Sequence, residues 1–439
     1  MRDLTSRLRE IVRRDHGGGA VVDPVRELTY VPDTGDQAMD PSRAAEALGG
    51  TRVDTESGAY IVVDRVWEAS DWHGRRMVGG YAPAADAPLA LFDSRVGALP
   101  GWADRVVFFD LETTGLSGGA GTLPFLAGCG WFEDGAFRVR QFFLSAPAGE
   151  RAMLEAIART FDDATLLVTF NGRSFDVPLM EMRWAFHRTA AATDDMPHFD
   201  MLPSARRLWS RREVREAPER ASCTLTSLER AVLGFHRLND VPGLEIPARY
   251  FHFLRSGDAS VIDGVLEHNR FDLLSLAAVM SHALSMAGDG PDACRDPSEL
   301  MGLGHLYERA GQVDRALEAF ERAVRDADRA LRPHAAARLA TLLARLERYD
   351  EAAHAWQSVL ESSRGRDDAG LALRRRATQA LAIHHEHRAC DLAAARGYAQ
   401  QLHHTAAGRA RDDAAHRLSR LDRKLGLKRT ADRPFDLDF

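Results

Sequence analysis

The side chains in this chain best suited to chemistry are acidic. Asp110 and Glu112 stand two apart in the run VVFFDLET. On a β-strand, positions i and i+2 project from the same face, so the two carboxylates would converge. Like charges brought that close repel unless a cation lies between them, and a divalent metal is the usual partner. A D-x-E pair on its own also fits a solvated strand face. Asp176, in FNGRSFD, follows the apolar run TLLVTF and opens a helical pattern. That places it at the carboxyl edge of a sheet, where α/β enzymes build their sites, although an aspartate there can also serve as a helix N-cap. Asp272, in EHNRFDLLSL, has His268 four positions before it, so on a helix the imidazole and the carboxylate share a face. Such a pair can equally be a surface contact or a buried hydrogen-bonded couple. In order, D-x-E, D and H-x-x-x-D supply four acids and a base, a donor set suited to two magnesium or manganese ions.

Holding those groups together requires a sheet. From Arg105 onward the runs VVFFD, FLAGCGWF and FRVRQFFL read as three strands separated by Gly-rich or Asp-Gly turns, a meander. Residues 148–161 place apolar side chains at Met153, Leu154, Ile157 and Phe161 with a helical period, and residues 165–170 read as a buried strand. Strands, helix, strand predict an α/β sheet. Further helices are predicted over 177–187, over 226–233 with Thr226 and Glu229 as a capping box, and over 261–287. Before residue 100 the pattern is broken by Gly17, Gly18, Gly19 and the turn-rich run 32–41, with a strand expected at 60–66.

Residues 288–297 (GDGPDACRDP) read as a turn-rich linker, and beyond them β patterns give way to Ala, Leu, Arg and Glu. Leu303, Gly304, Tyr307, Ala316 and Phe320 have the spacing of a tetratricopeptide repeat. Asp314, Ala316 and Phe320 return thirty-six positions later as Asp350, Ala352 and Trp356, close to the repeat's period of ~34 residues. A looser third copy runs through Asp391, Ala393 and Tyr398. Alanine lets paired helices approach and the aromatic fills the adjacent gap, so these residues are expected to stack a core. A groove for a protein partner is an inference from the architecture alone. The expected organisation is an N-terminal region over 1–100, partly packed on an α/β domain over 101–289, then helical repeats over 298–430.

A chain of 439 residues and 48.5 kDa calls for at least two domains. Its formal charge of −7 argues against coating nucleic acid by bulk electrostatics, so such a partner must be held locally. Cys129, Cys223, Cys294 and Cys390 lie far apart without a CxxC pair, which disfavours a zinc ribbon, a thioredoxin-like motif or a disulfide framework and predicts reduced thiols. The apolar run at 123–131 is interrupted by Pro and Gly, so no membrane span is expected, and the charged N-terminus does not read as a secretion signal. The expected address is the cytoplasm.

With these residues in place, the sequence resembles the RNase H-like nucleases of the DEDD 3′ to 5′ exonuclease superfamily, and within it the bacterial YprB-like family. The resemblance covers residues 49–287 and is carried by FFDLETTGLSGGAGTLPFLAG, LVTFNGRSFDVPLM, HFDMLPSARRLW, SCTLTSLERAVLGFHRLNDVPGLEIPARYF and HNRFDLLSL. It implies an α/β RNase H-like domain, a mixed sheet flanked by helices, followed by tetratricopeptide-like helices. It also implies phosphodiester hydrolysis, with Asp110, Glu112, Asp176 and Asp272 holding two Mg2+ or Mn2+ ions and His268 holding or deprotonating the attacking water. One departure stands out. Superfamily members with a histidine commonly place it five residues before the last acid, where this chain has Glu267, and His268 occupies the four-residue spacing at which other members carry tyrosine.

Candidate contacts to a nucleic-acid substrate are Thr113, Thr114, Asn171, Arg206 and Arg207. The basic stretch Arg206, Arg207, Arg211, Arg212 and Arg215, with Trp209 among them, could neutralise phosphates and stack a base, or form a solvated helix face with a buried Trp. The Gly-rich run 115–121 lacks the GK[ST] of a P-loop and reads as a tight turn that could also approach a nucleic-acid strand. His198 and Asp200 would orient their segment, and Asp240 in NDVPG reads as turn chemistry. Two other readings compete with the exonuclease. One is a scaffold whose repeats recruit a partner while the α/β domain binds nucleic acid or is inert. The other is an endonuclease sharing the fold and the metals.

Overall fold

The computed structural model describes residues 41–115, 121–190, 193–210, 223–363 and 368–426. The Gly-rich run from 116 to 120 and Arg211, Arg212 and Arg215 lie outside the described residues. Helix α1 (Pro41–Ala47) leads into β1 (Thr51–Thr55) and β2 (Gly58–Trp67), and a short hairpin of β3 (Trp72–His73) and β4 (Arg76–Met77) follows. The predicted meander is present as β5 (Val106–Thr113), β6 (Pro124–Glu133) and β7 (Ala136–Phe143). Helix α2 (Glu150–Phe161), β8 (Leu166–Thr169), α3 (Asp176–Phe186) and β9 (His198–Asp200) complete the α/β pattern. Among the described residues, seven of the nine strands form one mixed sheet in the order β1-β2-β7-β6-β5-β8-β9, parallel only between β5, β8 and β9. The stretch before residue 100 thus supplies two of the sheet's strands.

Central strand β5 is buried on both faces, as its near-continuous apolar run requires. Phe109 packs edge-on against Phe161 of α2, with ring centroids 5.3 Å apart. Helix α7 (Ser260–Asp289) crosses the opposite face, packing directly over Gly128, which pairs with Asp110 across the β5–β6 ladder. A Cβ at Gly128 would stand 2.2 Å from Asn269 Oδ1 and 2.8 Å from Leu273, so only glycine fits beneath the helix. In chain order between β9 and α7 come α4 (Met201–Trp209), α5 (Leu225–Leu228), a π-helical turn over Glu229–Leu233, and α6 (Ile246–Ser256).

Several local expectations are corrected. The capping box of Thr226 and Glu229 does not form: Thr224 caps α5 by accepting from the Ser227 amide at 3.2 Å. Glu229 instead turns inward to Arg237, because a buried guanidinium needs a carboxylate more than an exposed amide does. Asp176 is the first residue of α3 and makes no side-chain cap to it. The run 288–297 is packed, with Gly290 and Pro291 buried. The Tyr307 hydroxyl donates to the Ala287 carbonyl at 3.0 Å, and Arg315 donates to the Gly288 carbonyl at 2.9 Å. A further difference is that the helix spanning Ser260–Ala293 is long and apolar enough to cross a membrane by length and composition; 67% of its apolar window is buried inside the fold.

Among the described residues seven helices follow: α8 (Pro297–Arg309), α9 (Val313–Asp326), α10 (Arg332–Arg345), α11 (Tyr349–Ser362), α12 (Asp368–His387), α13 (Leu392–Thr405) and α14 (Arg409–Lys424). Each packs on the next. Ala316 and Phe320, and their counterparts Ala352 and Trp356, are buried between paired helices. In the third copy Ala393 is exposed and Ala395 and Ala399 take the buried positions, a shift of register. One apolar core runs from the sheet through α7 into the helices as far as Leu381. Cys129, Cys294 and Cys390 are free thiols.

Candidate metal centre at the end of the central strand

Asp110 and Glu112 leave β5 on the side covered by α7. Asp110 is held by Asn269, whose Nδ2 donates to Asp110 Oδ2 at 2.9 Å. Asn269 Oδ1 in turn accepts from Gln141 Nε2 at 2.8 Å, and Gln141 also donates to the Leu266 backbone carbonyl at 2.9 Å. This chain of buried amides, roofed by Gly128, fixes the orientation of the first acid. Ligand atoms of Glu112, His268 and Asp272 all lie within 4.8 Å of one another. Helical spacing brings His268 Nε2 to 3.3 Å from Asp272 Oδ2.

Two residues that spacing alone did not assign to the site complete this side of it. His268 Nδ1 lies 2.7 Å from Asp240 Oδ1, so the turn residue of NDVPG is the partner of the imidazole. With Nδ1–H donated to that carboxylate, the Nε2 lone pair faces Glu112 and Asp272. Arg237, its side chain 3% exposed, ion-pairs with Asp272 Oδ1 and donates through Nε to Glu229 Oε2 at 2.9 Å. Burial opposes the guanidinium charge, but Asp272 and Glu229 outweigh it and push its pKa up.

Asp176 enters from the start of α3. The turn before it is tied down by Asp200, which accepts from the amides of Asn171 at 2.8 Å and Arg173 at 3.2 Å and caps α4 through the Leu202 amide at 3.0 Å. Asn171 takes the left-handed conformation, φ 71°, that this turn demands and that asparagine tolerates. Thr113 donates its hydroxyl to the Gly115 carbonyl at 2.9 Å, whereas Thr114 accepts from the Leu123 amide at 2.9 Å and keeps its own O–H as a donor. Arg206 and Arg207 lie on α4, and Trp209 is the partly buried Trp of that helix, donating to Glu299 at 3.3 Å.

The electrostatics describe a site short of positive charge. Burial, then the charges of Asp272, Glu112 and Asp176, push the Asp110 carboxyl well above the usual carboxylate range. Glu112 is raised likewise by burial, Asp272 and Asp176, with Arg237 opposing. Asp176 rises to about 7 through burial and the neighbouring Asp200, with a further contribution from Asp272. Carboxylate oxygens at this density, with one imidazole nitrogen, are hard donors that fit Mg2+ or Mn2+ and give no reason to expect a thiophilic metal.

A mixed sheet with acids at the end of its central strand and on the crossing helix defines a class, and residues 107–284 match the RNase_H superfamily, so this half of the chain is an RNase H-like domain with a nuclease-type fold. Over 262 residues the chain is 32% identical to the uncharacterized protein YprB of Bacillus subtilis (strain 168) and is YprB-like over that stretch, 59% of its own length and 61% of the relative's. Among solved structures, the family B DNA polymerase of the archaeon Pyrobaculum calidifontis matches 47% of this chain and 29% of its own at 13% identity, with a TM-score of 0.32, a likeness too slight to bear on function.

Proposed function

We propose that this protein is a metal-dependent nuclease of the DEDD type, acting on nucleic acid as a 3′ to 5′ exonuclease. The observation that carries the reading is the convergence of four half-buried carboxylates, Asp110, Glu112, Asp176 and Asp272, at the end of β5, with neighbouring charge raising the pKa of the first three, a state that two divalent cations would relieve. Held by these four acids, such cations would supply Lewis acidity that polarises the phosphate oxygens and acidifies the attacking water. The remaining work belongs to the chain's own groups. His268 Nε2, aimed by Asp240, takes the proton from the attacking water. Arg237 holds Asp272 through one carboxylate oxygen and leaves Oδ2 toward the site. Asn269 keeps Asp110 in a single orientation.

The test is digestion of end-labelled single-stranded and duplex DNA and RNA with Mn2+ or Mg2+ and with EDTA. A ladder shortening from the 3′ end supports the reading, internal cuts assign an endonuclease, and intact substrate under every metal leaves the scaffold reading.

A further inference from the structure

On the face of the sheet that carries α2, away from the carboxylates under α7, lies a cavity of about 570 Å³. That is within the range of small-molecule sites, about 300–1,000 Å³. Side-chain alternation fixes what faces it. Phe109, which packs on α2, pairs with Cys129 across the β5–β6 ladder, so Trp131, two positions further along β6, lies on the same face. Tyr60 and Val62 of β2 and Phe142 of β7 make an apolar floor. Arg159, in the last turn of α2, and the Gly49–Gly50 turn stand at its sides. None of Asp110, Glu112, Asp176 and Asp272 lines this cavity.

Two buried donors among its lining residues have no acceptor. Trp131 is 9% exposed, yet its indole Nε1–H meets no hydrogen-bond partner among the described residues, and the same holds for Arg105 Nε. The two are neighbours, the Arg105 guanidinium carbon lying 5.1 Å from the centre of the Trp131 ring. The backbone of Arg105 is pinned: its amide donates to the Thr165 hydroxyl at 3.0 Å and its carbonyl accepts from the Thr165 amide at 2.9 Å. Folded proteins rarely leave a buried N–H without a partner, because its desolvation is costly. Neither an indole N–H nor a guanidinium can accept a hydrogen bond, so whatever fills this place must bring acceptor atoms. Arg140 is already matched by Asp64, which accepts from its Nε at 2.8 Å and its Nη2 at 3.0 Å. That leaves Arg105 and Arg159, neither in an ion pair among the described residues, against one exposed acid, Asp163.

We infer that this cavity binds a small organic phosphate of the size of a nucleoside monophosphate, with the phosphate on Arg105, Trp131 Nε1 and Arg159 and the apolar body over Tyr60, Val62 and Phe142. Donors from three separate segments of the chain suit the three terminal oxygens of a phosphate ester, whereas a carboxylate offers two. The cavity shares no residue with the carboxylate centre, so the inference stands or falls apart from the nuclease reading.

The test is titration calorimetry of the full chain with adenosine monophosphate, inorganic phosphate and benzoate. EDTA is present throughout, so that no cation at the carboxylate centre attracts the phosphate. One saturable site for the nucleotide is expected, with inorganic phosphate at least roughly tenfold weaker and benzoate not bound. Trp131→Phe keeps an aromatic ring and removes the N–H, and Arg159→Gln removes a charge from an exposed helix position. Each should weaken the nucleotide roughly tenfold, the loss expected for a hydrogen bond to a charged group. Circular dichroism establishes that the variants fold, and should Trp131→Phe not fold, Arg159→Gln decides alone. No nucleotide binding, wild-type affinity in either folded variant, or equal affinity for inorganic phosphate or benzoate overturns the inference.

Discussion

Carboxylates are shielded from water in two parts of this molecule, with opposite consequences. At the end of β5, Asp110, Glu112, Asp176 and Asp272 face one another with Arg237 as the nearby guanidinium, and the first three are pushed up in pKa. In the last helices Glu386 meets Arg417 at 2.7 Å, Arg420 at 2.7 Å and Lys424 at 3.3 Å. Its pKa falls to about 2, chiefly through the Arg420 hydrogen bond. The second arrangement is complete in itself: it staples α12 to α14 and leaves nothing for a ligand to supply. The first is incomplete without positive charge from outside. A shielded acid surrounded by cations is part of the scaffold, and several acids repelling one another on a rigid edge mark a site.

The largest expected contrast is in activity. Asp110→Asn should reduce hydrolysis to background, because the amide removes an anionic ligand while keeping the hydrogen bond from Asn269. Turnover above a tenth of wild type, with unchanged circular dichroism, would remove Asp110 from the centre. His268→Ala should lower turnover by roughly 10²-fold, since the base is lost while the acids remain. Asp240→Asn should fall between that variant and wild type, because it leaves the imidazole but loosens its aim. Glu267→Ala should be silent: Glu267 is exposed on the far side of the helical turn. A damaging Glu267→Ala with a mild His268→Ala would invert the assignment.

The two regions were unequally legible in the sequence. Side-chain alternation on VVFFDLET and the i, i+4 spacing of His268 and Asp272 follow from local geometry, so those groups could be named from spacing. Arg237, Asp240 and Asn269 could not. Arg237 and Asp240 reach the site from a connecting segment with no period of its own, and Asp240 carried a sufficient local explanation as a turn residue. Asn269 sits between the two named residues of HNRFD, and its role shows only in three dimensions, where Gly128 opens the space it fills. The Thr226–Glu229 capping box failed for a related reason, because a local motif yielded to a tertiary partner, Arg237. In the helical half Ala316, Phe320, Ala352 and Trp356 were readable because successive helices pack on one another, whereas Ala393 fell out of register.

A smaller contrast concerns pH and metal. An acid whose folded pKa is raised contributes stability that is present below its unfolded value, near 4, and is lost as pH rises through the folded value, about 7 for Asp176. In EDTA the α/β half should therefore lose thermal stability between pH 4 and 7, and Mn2+ should restore it most at the upper end. Asp110→Asn, which removes one of the repelling charges, should melt no lower than wild type in EDTA at pH 7. A metal-free melting temperature that climbs steadily over this range, with no response to Mn2+, would contradict the charge-deficient description of the site.

The smallest effect is expected at Glu386, and its sign is opposite. Its depressed pKa contributes stability that is present above the unfolded value of about 4.5 and is lost as pH falls toward about 2. Because Arg420 and Lys424 remain partly in water, Glu386→Gln should cost only about 1–2 kcal/mol at pH 7. The loss should be local, since Ala395, Ala399 and Leu421 form a small core apart from the main one. Amide exchange should accelerate in α13 and α14 while β5 and α7 keep their protection, and hydrolysis at the carboxylate centre should not change. Equal acceleration in β5 would show that the last helices and the sheet unfold as one unit, and the two buried acid environments would then be coupled rather than independent.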